Sequence, residues 1–233
     1  KSRFLSNMSH DIRTPVNGIM GMIELAGHYP DNLEMQKRCR DQVMKSSKYL
    51  VSIVSDILEM NKLEFEEFSD QELSFDLADL LSRANTGKQI LAEEKNVEFV
   101  VDWEKSDMRH TGLKGNPVYL ERILTAVADN AVKFTEPGGC VQVWCVEKEA
   151  DHDHVVYEFT CSDNGIGMSE AFIPHVFEMF SQENETCRSR YEETGLGLAI
   201  TRSAVLMHNG SIKVSSTENE GTTFVVRIPL KQK

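Results

Sequence analysis

The sequence predicts an α+β chain in two parts. Residues 1–66 read as an antiparallel helical hairpin. Residues 67–233 read as an α/β sandwich with a mixed sheet under a helical layer. Three observations carry this. Apolar residues recur at spacings of three and four through two long stretches separated by a short break, the period of a helix. An acidic, aperiodic stretch at 64–75 divides this pattern from the rest. Beyond it, short β-branched and aromatic runs alternate with helical patterns, and turns of Pro and Gly join neighbouring runs.

Phe4, Met8, Ile12, Val16, Ile19, Ile23 and Ala26 place a helix over 2–28. Tyr29-Pro30-Asp31-Asn32 breaks it, and Asp31 or Asn32 is positioned to cap the next helix. That second helix runs from Leu33 to about Glu66 on a stripe of Val43, Ser47, Leu50, Val54, Ile57 and Asn61, widened by Ile53 and Leu58. One hairpin offers too little surface to bury both stripes. A second copy, forming a dimeric four-helix bundle, is therefore expected. The alternative is a two-helix arm packed on its own domain. Residues 64–75 read as a linker. A helix comes next, from Asp76 to about Glu94, with Ser74 a candidate cap. Val97–Trp103 reads as a strand and His110–Lys114 as a short extended piece. Pro117 opens a helix that runs to about Phe134, and Pro137-Gly138-Gly139 is a turn. Strands are predicted at about 140–149 and 154–162, then helix, loop and helix over 169–209, then strands at about 211–217 and 222–229.

Composition excludes several classes. A net charge of -12 over 233 residues makes a poor nucleic-acid binder and one repelled by anionic membrane surfaces. No apolar run approaches the roughly 20 residues of a membrane span. The chain begins at Lys1 inside a helical pattern, as a fragment of a longer protein would. Its five cysteines form no Cys-x-x-Cys pair and read as reduced thiols of a cytosolic protein. His152-Asp153-His154 reads as a polar turn between strands rather than a metal site.

The stretch Phe4–Pro15 concentrates chemistry on the first helix. His10 and Thr14 share a face, and Asp11 lies about 100° round from His10. Pro15 cannot donate to the carbonyl of Asp11, which loosens the helix just after His10. A carboxylate beside an imidazole holds one ring N–H and leaves the other nitrogen as a nucleophile. Taken alone, the same residues also fit an exposed histidine on a kinked amphipathic helix.

Four segments of the second part bear on a nucleotide. Asp163-Asn164-Gly165-Ile166-Gly167-Met168 comes directly after a strand. Its glycines permit close backbone approach to a ligand, and its aspartate accepts from an exocyclic amine such as that of adenine. Alone it is also an ordinary Asp-x-Gly turn. Thr194-Gly195-Leu196-Gly197-Leu198 opens a helix whose free N–H groups suit phosphate oxygens, with neither Walker nor Rossmann spacing. Asn130 and Lys133 share a helix face, where an amide oxygen can ligate Mg²⁺ and an ammonium can pair with phosphate, and the pair alone equally fits a surface helix end with a lysine near its C-terminus. The polar stretch 181–193 after Phe177-Glu178-Met179-Phe180 has the character of a lid.

In order and spacing these segments, with the box around His10, resemble the sensor histidine kinases of two-component systems. The resemblance covers essentially the whole chain. It implies a dimerisation and phosphoacceptor domain at 1–66 and, at 67–233, an ATP-binding domain of the fold shared with heat-shock chaperone ATPases, MutL-type repair proteins and type II topoisomerases. It implies that His10 takes the γ-phosphoryl group of ATP, that Asp11 is its base, and that Thr14 positions water when the enzyme runs in reverse as a phosphatase. Asp163 would read adenine, Asn130 would hold Mg²⁺ and Lys133 would contact phosphates. Asn164, Gly165, Gly167, Arg190, Thr194, Gly195, Leu196, Gly197 and Leu198 complete the implied nucleotide set. The implied partners are a second copy of the chain and a receiver domain, separate or fused downstream, whose aspartate accepts the phosphoryl group. The implied setting is the cytoplasmic portion of a larger sensor. Two positions depart from the pattern. Ala126 stands where the family has asparagine, and Glu192-Glu193 stand where it has glycines, with Arg188 and Arg190 nearby to compensate. Both departures point to weak ATP turnover. The alternative reading is a weakly active or inactive dimeric scaffold gated by nucleotide.

Overall fold

The computed structural model describes residues 2–65, 73–183 and 194–233. Contacts divide the chain into two units: Lys1–Phe65 with Glu178–Gly197, and Glu66–Phe177 with Leu198–Lys233.

In the first unit, α1 (Ser2–His28) and α2 (Leu33–Phe65) form the hairpin. Asn32 caps α2: its Oδ1 accepts from Met35 N–H at 3.0 Å. Gln36 then ties the turn, donating from its amide to the carbonyls of Ala26 (2.6 Å) and Tyr29 (3.0 Å). These bonds satisfy carbonyls that the end of α1 would otherwise leave open. The buried line of α2 is Cys39, Ile53 and Met60, a heptad-spaced face rotated from the predicted stripe. Val54 and Leu58, predicted within that stripe, are exposed together with Met44 and Val51. One partner helix covers only one side of an apolar band this wide.

The second unit is a seven-stranded mixed sheet in the order β1-β3-β7-β5-β4-β2, with β6 also pairing β7. Its elements are β1 (Leu73–Asp76), α3 (Leu77–Lys95), β2 (Glu98–Val101), β3 (Gly112–Gly115), α4 (Pro117–Phe134), β4 (Cys140–Ala150), β5 (His154–Asp163), α5 (Gly197–Met207), β6 (Ser211–Thr217) and β7 (Gly221–Gln232). Only β2 and β4 run parallel. β5 and β7 alternate along most of their length: Val155, Tyr157, Phe159 and Cys161 are buried on one, Phe224, Val226, Ile228 and Leu230 on the other, with Thr160 also buried between Phe159 and Cys161. The register stacks these pairs against each other, Phe159 opposite Val226 and Tyr157 opposite Ile228. α3 and α4 pack together and onto the sheet through Leu77, Leu80, Leu81, Leu120, Ile123 and Val127.

Two expectations are corrected here. The stretch read as linker contains β1 at its end, and α3 is capped by Asp76, not Ser74. Asp76 Oδ1 accepts from Ala78 N–H (2.8 Å) and Asp79 N–H (3.2 Å), and its Oδ2 accepts from Thr111 (2.7 Å). Among the described residues of 169–183, the first helix expected in 169–209 is a 3₁₀ turn at Ile173–His175. Pro174 removes a donor there, and the segment is held instead by Phe177, whose ring meets Phe224 edge-on at 6.3 Å. Among the described residues no helix is long and apolar enough to cross a membrane.

Candidate functional site

The His10 box lies on α1. The His10 side chain is 68% exposed, and its Nδ1 is 3.0 Å from Oδ1 of the buried Asp11. An ionised carboxylate only accepts, so in this pair the proton sits on Nδ1 and the lone pair on Nε2. Thr14 lies one turn on and donates from Oγ1 to the carbonyl of His10 at 3.1 Å. Such a back-bond bends a helix, and Pro15 in the next position adds to it. The three sequence-predicted residues therefore come together, with distinct roles available to the ring, the acid and the hydroxyl.

In the second unit, Asp163 ends β5. Its Oδ1 accepts from Gly165 N–H (2.9 Å) and Thr222 N–H (3.2 Å). Burial pushes the carboxyl above the usual aspartate value, while these two amides pull it back. Its Oδ2 takes no donor among the described residues, so it remains available to an exocyclic amine. Thr222 was not predicted. It sits just past a turn at the start of β7, with no local motif to mark it, and reaches Asp163 only through sheet pairing.

The loop after Asp163 is pinned to the end of α4. Ile166 N–H donates to the Phe134 carbonyl at 3.1 Å. A Cβ on Gly165 would lie 2.4 Å from that carbonyl, and one on Gly167, at φ +63°, would lie 2.0 Å from the Thr217 carbonyl. Both glycines are thus demanded by close approach to the chain's own backbone, not only to a ligand as the motif suggested. Asn164 also has a structural bond: its Oδ1 accepts from Cys140 N–H at 2.7 Å. The same α4 end carries Asn130, half-buried with no side-chain hydrogen-bond partner among the described residues, and Lys133, whose Nζ lies 5.3 Å from the Phe134 ring. Ala126, one turn before Asn130, offers no polar side-chain atom. Lys95 Nζ donates to the carbonyls of Val132 (3.1 Å) and Lys133 at the terminus of α4, where a cation suits the helix dipole. Asn130, Lys133, Asp163, Gly165 and Gly167 therefore surround one junction, with Phe134 as its hinge pin.

The glycine-rich run belongs to the first unit up to Gly197. Thr194 Oγ1 donates to Asp56 Oδ2 at 2.6 Å and accepts from Leu196 N–H at 3.2 Å. Gly195, at φ +67°, sits against Phe180, whose N–H donates to the Gly195 carbonyl at 2.9 Å. Leu196 is fully buried and Leu198 half-buried. Gly197 is different: a Cβ there would meet nothing within 4 Å. Open space at the first residue of an 11-residue helix fits an approaching anion. Arg188, Arg190, Glu192 and Glu193 lie outside the described residues.

Two family models match the chain. Residues 1–66 match the family model of the His Kinase A (phospho-acceptor) domain. Residues 115–232 match that of the histidine kinase-, DNA gyrase B- and HSP90-like ATPases. The autoinducer 2 sensor kinase/phosphatase LuxQ of Vibrio parahaemolyticus is 35% identical over 234 residues, covering 100% of this chain and 27% of LuxQ. The sensor protein GacS of Pseudomonas syringae is 34% identical, covering 99% of this chain and 25% of GacS. The chain thus spans about a quarter of the length of these relatives. Full-length ShkA, solved in complex with AMPPNP, aligns with a TM-score of 0.67 and 27% identity, over 99% of this chain and 46% of ShkA. The histidine kinase AdeS of Acinetobacter baumannii shares the fold, with a TM-score of 0.65 at 18% identity, over 94% of this chain and 96% of AdeS. The order of the motifs, the two matched domains and an identity above 30% along this chain agree, and the chain belongs to the sensor histidine kinases.

Proposed function

We propose that this chain is the core of an ATP-dependent protein-histidine kinase that phosphorylates its own His10, with residues 1–66 as phosphoacceptor and dimerisation domain and 67–233 as catalytic domain. The observation that carries the reading is the pairing of His10 Nδ1 with the buried carboxylate of Asp11, which leaves Nε2 exposed. The Nε2 lone pair attacks the γ-phosphorus of ATP. An N–P bond forms, the bond from phosphorus to the bridging oxygen breaks, and ADP leaves with that electron pair. The ring becomes cationic as the bond forms, and Asp11 stabilises its Nδ1–H or accepts the proton.

Asp163 reads the adenine amine through Oδ2. Lys133 and the opening turn of α5 at Gly197-Leu198 take phosphate oxygens. Thr194, Gly195 and Leu196 shape that turn, and Arg190, outside the described residues, supplies a further positive charge to the phosphates. Asn164, Gly165 and Gly167 hold the adenine loop in place. The Asn130 amide, without a side-chain partner among the described residues, fits a single oxygen ligand to Mg²⁺, whose role when bound would be to neutralise phosphate charge. The phosphoryl group then passes to an aspartate of a receiver domain, and Thr14 positions water in the reverse, phosphatase direction. The setting is the cytoplasmic portion of a larger sensor. A homodimer is favoured by the exposed heptad-spaced residues Met44, Val51 and Leu58 on α2, an apolar band that a second hairpin would cover.

The test is incubation with γ-labelled ATP and Mg²⁺ beside His10→Gln. Alkali-stable, acid-labile label on the wild type alone is expected. Equal labelling of His10→Gln would refute the assignment. Ala126 favours a second reading, a nucleotide-gated scaffold with little turnover: nucleotide binding without labelling would select it, and restoration of labelling by Ala126→Asn would trace the defect to that position.

A further inference from the structure

Between the helical layer and the sheet of the second unit lies a cavity of about 50 Å³. Its walls are Leu124, Val127 and Ala128 of α4, Leu81 and Asn85 of α3, and the core face of β2, β4, β5 and β7. Trp103 stands on its rim, 55% exposed, in the turn just past β2. None of the residues assigned to the phosphoacceptor or to the nucleotide lines it. The space arises because small side chains meet there: Ala128 on the helix faces Cys145 and Cys161 on the strands, where larger residues would have closed the gap.

The chemistry of the walls selects an occupant. The volume exceeds the roughly 10–15 Å³ that admits one water, but beside Asn85 only Ser106 and Thr160 bring polar side chains to the lining, and Ser106 Oγ is already engaged, donating to the Asp102 carbonyl (2.8 Å) and accepting from Cys145 N–H (3.3 Å), so water inside would be short of its two to four polar partners. Among the described residues no charged side chain lines the space. The Asn85 amide, half-buried on the wall, has no hydrogen-bond partner among the described residues. We infer that this cavity is a binding site for a small uncharged amphiphile, with its apolar part against Val127 and Ala128 and its single hydroxyl on Asn85. The site lies on the helix that also carries Asn130 and Lys133, and its α4 lining residues Leu124, Val127 and Ala128 precede both of them. The inference does not depend on kinase activity.

The chain supplies its own reporter. Trp103 and Trp144 are its only tryptophans, and both border the cavity. Titration of the whole chain with 1-propanol, against glycerol as a solvent control, is expected to give a saturable change in tryptophan emission in the millimolar range. In the same titration, methyl NMR shifts should be confined to residues such as Val127, Ala128 and Val226. Xenon, a probe with no polar group, should shift the same methyls. Ala128→Val, which fills much of the space, should weaken the propanol response at least tenfold. Asn85→Leu should weaken propanol binding at least threefold while leaving the xenon shifts unchanged. A linear, unsaturable response would overturn the inference, as would equal saturation in a folded Ala128→Val. Should Ala128→Val not fold, the wild-type methyl spectrum decides: shifts spread over surface methyls refute the site, and shifts confined to the lining support it.

Discussion

Glu147 occupies a core position on β4, opposite Tyr157, and is only 6% exposed. Its Oε2 accepts from Arg109 N–H (3.0 Å), His110 N–H (3.1 Å) and the Tyr157 hydroxyl (3.0 Å), while Oε1 faces His110 Nδ1 at 2.9 Å. Burial by itself raises its carboxyl, but the His110 ring, the two amides and the Tyr157 hydroxyl more than offset that and bring it down to about 2, from 4.5. A shift of that size corresponds to about 3 kcal/mol. His110 is 46% exposed, so solvent screens part of its share and about 2–3 kcal/mol is the expected net. Glu147→Gln keeps the shape but turns an NH₂ group towards one of the donors, leaving a buried donor unsatisfied at a cost of about 1–3 kcal/mol. At pH 7 the variant should therefore be about 2–3 kcal/mol less stable. The sign with pH is set by the folded value lying below the unfolded one. The contribution is complete above about pH 5 and fades as pH falls towards about 2. The gap between wild type and Glu147→Gln should close over the same window. Urea unfolding monitored by tryptophan emission reads this directly, because both tryptophans lie in the second unit. A gap under about 0.5 kcal/mol at pH 7, the size of an ordinary surface substitution, would refute the reasoning. So would a gap of equal size at about pH 3 and pH 7.

The same geometry sets other expected outcomes. Asp163→Asn can still accept from Gly165 and Thr222 through its amide oxygen, and it removes a carboxylate whose ionised form burial disfavours. Its melting temperature should hold or rise, while ATP affinity by calorimetry falls about 10- to 100-fold, the worth of one charged hydrogen bond. Gly167→Ala forces a Cβ to 2.0 Å from the Thr217 carbonyl at φ +63° and should cost more than about 2 kcal/mol in urea. Gly197→Ala meets open space, so its stability should stay within about 0.5 kcal/mol of wild type while nucleotide affinity falls. Asp76→Ala removes the cap of α3 and the bond from Thr111, for a loss of about 1–2 kcal/mol by thermal unfolding.

Much of this molecule is local physics and so was legible along the chain. The two long helices, the break at Pro30, Asn32 as a cap, Pro117 as a helix start and the alternation of β4, β5 and β7 each depend on residues a few positions apart. The His10, Asp11, Thr14 constellation is local too, since one helical turn brings it together. What the tertiary structure decided depends on partners distant in sequence. The side of α2 that is buried could not be read from its band, because the band is apolar all across and only the partner helix chooses a side. The segment 169–180 has enough apolar residues for a helix, yet Pro174 interrupts it and Phe177 packs instead on the Phe224 ring of β7. Gly165 and Gly167 looked like a ligand's glycines. Their nearest neighbours prove to be Phe134 and Thr217, which sheet pairing and the end of α4 bring within 3 Å of where a Cβ would stand. Glu147 has no sequence signature, because its charge becomes tolerable only when Arg109, His110 and Tyr157 converge on it from other strands and loops. Periodicity reports which face of an element is apolar; what meets that face is set by long-range packing, and packing has no period to read.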